Sequence, residues 1–137
     1  MAKKEFKYRG KTLQELLSLS LEEFIELIPS RQRRTIQRMM KGAEDNPQLK
    51  LYKAIKKALA KGQKDSIRTH VRDFVILPEM VGMTIMVHNG KEFVRLDVKD
   101  KMVGHLLGEF ALTRKMITHS SPGIGATKST KFVSVRA

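Results

Sequence analysis

Apolar residues in the first half of the chain recur at helical spacing, whereas in the second half they alternate or run together. Leu13, Leu16 and Leu17, then Leu21, Phe24, Ile25 and Ile28, fall on one side of a 3.6-residue turn. Each set follows a hydroxyl residue with a glutamate three positions on, Thr12 with Glu15 and Ser20 with Glu23. In that arrangement hydroxyl and carboxylate satisfy orphan amides reciprocally, so the pattern predicts two short capped helices. Pro29 ends the second. A third helix starts at Ser30, with Ile36, Met39 and Met40 as its apolar stripe. Asn46-Pro47 reads as a cap followed by the proline favoured in a first turn. It opens a fourth helix, buried along Leu51, Tyr52, Ile55 and Leu59, which closes at Gly62.

After Asp65 the pattern changes. Phe74-Val75-Ile76-Leu77 is a short apolar run stopped by Pro78 and is predicted as a strand. Met83 to Val87 and Phe93 to Val98 flank His88-Asn89-Gly90-Lys91, and Asn-Gly is a strong hairpin signal because both central positions of a type I′ turn need positive φ. A two-residue loop at Asn89 and Gly90 sets the register: His88 with Lys91, Met86 with Phe93, Ile85 with Val94, Thr84 with Arg95, Met83 with Leu96. One face then carries Met83, Ile85, Val87, Val94 and Leu96, a core face. The other carries Thr84, Met86, His88, Lys91, Phe93 and Arg95, basic with two apolar side chains among the polar ones. Beyond Asp100, read as a cap, Met102, Val103, Leu106, Leu107 and Phe110 share a side of a short, partly irregular helix. Gly104 and Gly108 lie on it, allowing a neighbour to approach the backbone closely.

Composition turns this layout toward a polyanion. The chain has 137 residues, 27 Lys and Arg against 14 Asp and Glu, and a net charge of +13. Self-repulsion of that size weakens a compact state and draws the protein to nucleic acid or an anionic surface. The charge is patterned. Arg31, Arg34, Arg38 and Lys41 share one helix face, and Lys50, Lys53, Lys57, Lys61 and Lys64 share another. An amphipathic face of this kind is ordinarily just solvated; these rows carry no interspersed acids, and such rows repel themselves unless phosphates lie beside them. From Thr113 to Ala137 there are five Lys or Arg and no acid, with small residues from Ser120 to Thr127. Such a tail suits an extended path along nucleic acid.

Other chemistries find little support. Cys is absent, which removes disulfides and thiolate zinc sites and suits a reducing, cytoplasmic setting. His70, His88, His105 and His119 lie 14 to 18 residues apart, with no pair at ligand spacing, so no metal site is expected. Gly123-Ile124-Gly125 lacks the further residues of a phosphate-cradling loop. Asp97, Asp100 and Glu109 read more economically as surface and capping residues than as an acid–base set. No catalytic residue and no cofactor are expected. No apolar run approaches a membrane span, and the first residues lack the features of a secretory signal.

Several stretches together resemble one family, small-subunit ribosomal protein nineteen. They are Ile67-Arg68-Thr69-His70-Val71-Arg72-Asp73, Ile76-Leu77-Pro78-Glu79-Met80-Val81-Gly82, His88-Asn89-Gly90-Lys91, and Met102-Val103-Gly104-His105-Leu106-Leu107-Gly108-Glu109-Phe110 with Thr113. Phe6-Lys7-Tyr8-Arg9-Gly10, Arg31-Gln32-Arg33-Arg34 and Pro122-Gly123-Ile124-Gly125-Ala126-Thr127, followed by Ser129, Lys131 and Phe132, are similar to the archaeal and eukaryotic branch, called protein fifteen in the eukaryotic series. Between Lys41 and Asp65 the likeness is one of basic helical character only.

The resemblance implies a structural protein of the small-subunit head, bound to ribosomal RNA in the cytoplasm. It lies beside small-subunit ribosomal protein thirteen and near a bridge to the large subunit. On the matching positions it implies RNA contacts at Arg68, Thr69, Arg72, His88, Asn89, Gly90, Lys91, His105, Thr113, Arg114 and His119. The helical rows add Arg31, Arg34, Arg38, Lys53 and Lys57, and the hairpin face adds Arg95. The tail residues Gly123, Gly125, Thr127, Lys128, Ser129 and Lys131 are implied to lie nearest tRNA. The competing class is a free-standing DNA-binding or chromatin-like protein whose Arg31–Lys41 helix enters a groove. The expected fold is α+β: a basic helical lobe over residues 1–64, then a core over 65–119 with a small, mainly antiparallel three-stranded sheet and a short helix. An extended basic tail over 120–137 completes it.

Overall fold

The structure, a computed structural model, describes residues 6–62 and 67–118. Lys64, His119 and the tail residues Gly123, Gly125, Thr127, Lys128, Ser129 and Lys131 lie outside the described residues, as does the rest of 120–137. The architecture is α+β. A small hairpin, β1 (Lys7–Tyr8) and β2 (Lys11–Thr12), leads into four helices: α1 (Leu13–Ser18), α2 (Leu21–Leu27), α3 (Ser30–Lys41) and α4 (Pro47–Ala60). A three-stranded sheet follows, β3 (Ile67–Thr69), β4 (Thr84–His88) and β5 (Phe93–Asp97), in that spatial order.

The helix ends form as their sequences dictate. Thr12 N donates to Glu15 Oε2 at 2.9 Å while Thr12 Oγ1 accepts from Glu15 N at 3.5 Å, and Ser20 and Glu23 do the same at 2.9 and 3.3 Å. The backbone donation to Glu23 holds its carboxyl below the usual range. Asn46 Oδ1 accepts from Gln48 N at 3.0 Å, with Pro47 in the first turn. Pro29 caps α3 without a side-chain bond. Arg33 explains how the α2–α3 corner is held. Its guanidinium donates to the carbonyls of Ile25, Glu26 and Ile28, groups that the end of α2 leaves without helical partners.

The third strand of the sheet is not the one the apolar run predicts. Ile67, Arg68 and Thr69 pair in parallel with Ile85, Met86 and Val87, while β4 and β5 pair antiparallel. Phe74 to Leu77 instead forms an extended strap, buried on every side and closed on the following turns rather than on the ladder. Ile76 N donates to His105 O, Gly104 N to Ile76 O, Leu107 N to Phe74 O and Gly108 N to Arg72 O, at 2.8 to 3.0 Å. A run with no polar face suits a position inside one buried cluster. That cluster joins Leu16, Phe24, Ile28, Ile36 and Ile55 of the helices to Ile76, Met80, Ile85, Val87, Leu96 and Leu107. The region read as one irregular helix is two 3₁₀ turns, Asp100–Met102 and Leu107–Phe110, broken at Gly104, where φ is +82°. Asp100 stands in the first turn rather than at the cap, which is Lys99.

Both glycines of that region admit close neighbours. A Cβ on Gly104 would stand 2.6 Å from the Tyr8 hydroxyl, and one on Gly108 would stand 3.0 Å from Arg72 O. Tyr8, carried on the first hairpin, thus lies across the break between the two 3₁₀ turns, and burial pushes its phenol pKa up.

Candidate nucleic-acid interface

Strand pairing decides which side chains share the open face of the sheet. The observed register sets Thr84 opposite Asp97, Ile85 opposite Leu96, Met86 opposite Arg95, Val87 opposite Val94 and His88 opposite Phe93. The expected pairing is therefore displaced by two residues, and the loop holds Asn89 to Glu92 instead of two residues. Asn89 is the cause. Its Oδ1 accepts from Lys91 N at 2.9 Å and Glu92 N at 2.8 Å, a local turn that competes with type I′ geometry, and only Gly90 takes positive φ. A displacement of two preserves the faces. Met83, Ile85, Val87 and Leu96 are buried and Val94 half-buried, while Lys91 sits in the loop and not on the strand face.

Three rows cross the open face. Asp97 and Thr84 make the first, Arg95, Met86 and Arg68 the second, and Phe93, His88 and His70 the third. Arg95 Nε is 3.1 Å from Asp97 Oδ1, which also accepts from Thr84 Oγ1 at 2.8 Å. The Thr84 hydroxyl, and then the Arg95 guanidinium, hold the Asp97 carboxyl below the usual range. The Arg68 guanidinium lies 5.8 Å from the Phe93 ring. His88 Nδ1 accepts from Gly90 N at 3.0 Å, which leaves Nε2 as the donor nitrogen of the ring. His70 was missed as a site residue. A strand recognised at Ile67–Thr69 would have put it beside His88.

Two of the expected contacts are committed inside the fold. Thr69 is buried, and its Oγ1 accepts from Val71 N at 3.0 Å. Arg72 is half-buried and donates to the carbonyls of His88, Gly108 and Ala111 at 2.6, 2.9 and 2.5 Å, tying the hairpin tip to the last 3₁₀ turn. His105 is exposed, with Nδ1 2.6 Å from Glu109 Oε2 and its ring edge-on to Phe110. Thr113 and Arg114 lie in an exposed run.

The helical rows divide. Arg31, Arg34, Arg38 and Lys41 are exposed, and none forms an ion pair among the described residues. On α4 the absence of acids does not hold, because the α3–α4 loop supplies them. Lys50 pairs with Asp45 at 2.9 Å and Lys53 faces Glu44 at 3.9 Å, whereas Lys57 and Lys61 remain exposed. Arg38 and His70 line one open groove of about 670 Å³, with Thr35, Asn46, Pro47, Gln48, Val71 and Asp73 completing it. Asp73 accepts there from Gln48 Nε2. The groove joins the arginine row of α3 to the open face of the sheet.

A family model described as Ribosomal protein S19 matches residues 37–119, more than half of the chain. The chain belongs to the ribosomal protein S19 family. The match covers the C-terminal end of α3, all of α4, the sheet and both later 3₁₀ turns. An S19 protein is a structural component of the small ribosomal subunit, a ribonucleoprotein, so the place of this chain is the ribosome and its work is in translation. The competing DNA-binding reading is left without support. No described helix is long and apolar enough to cross a membrane.

Proposed function

We propose that this S19 protein binds small-subunit ribosomal RNA through one basic surface. The surface runs from Arg31, Arg34 and Arg38 on α3, across the groove, to Arg68, Arg95 and the loop residues Asn89, Gly90 and Lys91. Lys53 and Lys57 extend it along α4, His88, His105, Thr113 and Arg114 flank it, and the family likeness adds His119 as a further contact. Thr69 and Arg72 serve it from behind, by holding the strand and the hairpin tip in place. The observation that supports the reading is the groove shared by Arg38 of α3 and His70 beside the sheet, residues 32 apart in sequence. Phosphates condense counterions, and cations placed along them release those ions, so such a surface binds with strong salt dependence.

The finer assignments rest on family likeness and on composition. They are a neighbour in small-subunit ribosomal protein thirteen, a nearby bridge to the large subunit, and a tail directed at tRNA. From Ser120 to Thr130 the tail has almost no apolar surface, and Lys128 and Lys131 supply charge beside Gly123, Gly125, Thr127 and Ser129. Titrating potassium chloride against binding to a small-subunit RNA transcript tests the surface. Affinity should fall by about a thousandfold between low and moderate salt. A flat logarithmic plot, or equal affinity for random duplex DNA, would sink it. For the tail, subunits rebuilt with protein cut after His119 should bind tRNA more weakly, and equal tRNA binding and equal decoding accuracy would remove its role.

A further inference from the structure

The chain is poor in aromatic residues, with six Phe, two Tyr and no Trp, yet it sets three rings side by side on the open sheet face. His70 and His88 have centroids 4.4 Å apart and tilted by 36°, and Phe93 meets both edge-on, at 5.1 and 4.9 Å. The cluster is not a core in miniature. His70 is exposed, and its ring has no hydrogen-bond partner among the described residues. Cations frame it: Arg68 over Phe93, Arg95 in the neighbouring row, Lys91 in the adjoining loop and Arg38 across the groove. Acids are near too, but Asp97 is engaged by Thr84 and Arg95, and Asp73 by Gln48.

We propose that His70, His88 and Phe93 form a stacking platform for one unpaired RNA base, with Arg68 and Arg95 holding the phosphate beside it. The proposal rests on the RNA-binding reading above and names what the sheet end of that surface takes. Planar rings at an exposed strand row offer a π-face to any base, and a guanidinium in the next row meets the charge of its backbone. Bases inside a duplex already stack on each other and cannot lie on such a row, so the ligand is a bulged or single-stranded nucleotide. Gly90 N occupies His88 Nδ1, so Nε2 is the nitrogen left to give the stack a polar edge.

The test uses the full chain and two RNA hairpins, one fully paired and one carrying a single bulged 2-aminopurine. Wild-type protein should prefer the bulged hairpin and quench its fluorescence on binding. His70→Ala should lose about tenfold affinity for the bulged hairpin, with binding to the paired one and the salt slope unchanged. His70→Tyr should restore the preference, and both variants should melt as wild type does. Unchanged fluorescence on binding would overturn the platform and leave the RNA reading standing, as would equal affinity of wild type and His70→Ala for both hairpins. A drop in melting temperature that accounts for the lost affinity would make His70 a packing residue and overturn it as well. Absence of salt-dependent binding to either hairpin would fail the RNA reading itself.

Discussion

Asp97 is an acid on the open face that also carries Arg68 and Arg95, and it ties down the guanidinium of Arg95. Asp97→Asn removes one negative charge and frees a cation. RNA affinity should rise severalfold and the logarithmic salt slope should steepen by up to about 1. The same carboxyl has a folded pKa below the ordinary 3.8, so its contribution to stability is present above that value and is lost as pH falls through the lowered one. The acid limb of a stability–pH curve should accordingly be shallower in the variant; an unchanged limb would mean the Thr84 and Arg95 contacts contribute nothing. Gly104 makes a second residue-scale case. Its φ of +82° disfavours any side chain, and an added Cβ would meet the Tyr8 hydroxyl at 2.6 Å. Gly104→Ala should cost about 2–4 kcal/mol in urea denaturation, from backbone strain and overpacking together. The loss should be smaller in a Tyr8→Phe background, where the hydroxyl is gone and only the strain and the ring contacts remain.

Between elements, Arg72 is the tie that matters most, because one guanidinium binds three carbonyls and joins the hairpin tip to the last 3₁₀ turn. An ammonium cannot reach three carbonyls with that fork, so Arg72→Lys should cost about 2–3 kcal/mol while RNA affinity per folded molecule stays the same. Lost affinity at full stability would instead make Arg72 a direct contact. The elements were legible in sequence to the degree that their causes are local. Thr12, Ser20 and Asn46 start helices through bonds within three residues, and those starts are found where they were expected. The sheet faces were legible because alternation survives a displacement of two, but the pairing was not. Asn89 can serve a type I′ turn or bond forward to Lys91 and Glu92, and the side-chain option prevails. The positive-φ pair that hairpins favour occurs instead at Arg9 and Gly10, where an arginine gives no signal for it. Phe74 to Leu77 misled for another reason, since an apolar run shows that it is buried and not what pairs with it. On the open face of the sheet, Arg95 was legible from alternation, and Arg68 was named from the resemblance. The juxtaposition of His70 with His88 was not, because 18 residues and a crossover separate them.

At the scale of the whole molecule, the charge that suits RNA opposes folding. With +13 on 137 residues, like charges repel across a compact body, and added salt relieves them within a Debye length of about 10 Å at 0.1 M. Melting temperature of the free protein should therefore rise with potassium chloride over the same range in which RNA affinity falls. A melting temperature indifferent to salt would show the cations too widely spread to strain the fold. The strap adds a constraint in time. Phe74 to Leu77 lies between the helices and the later turns, and while Leu77 bonds locally to Met80, the backbone groups of Phe74 and Ile76 find their partners in residues 104–107. During synthesis the four helices leave the ribosome with their apolar faces uncovered, and the strap follows them with these groups of Phe74 and Ile76 unanswered. Nothing made before Gly104 supplies the partners of Phe74 and Ile76. A nascent chain arrested at Lys99 should therefore be cut readily by protease, and one extended past Leu112 should resist; equal resistance would mean that the helices fold without the strap's partners. On this account a protein of the ribosome spends most of its own translation unfinished, and becomes a folded body in nearly a single late step.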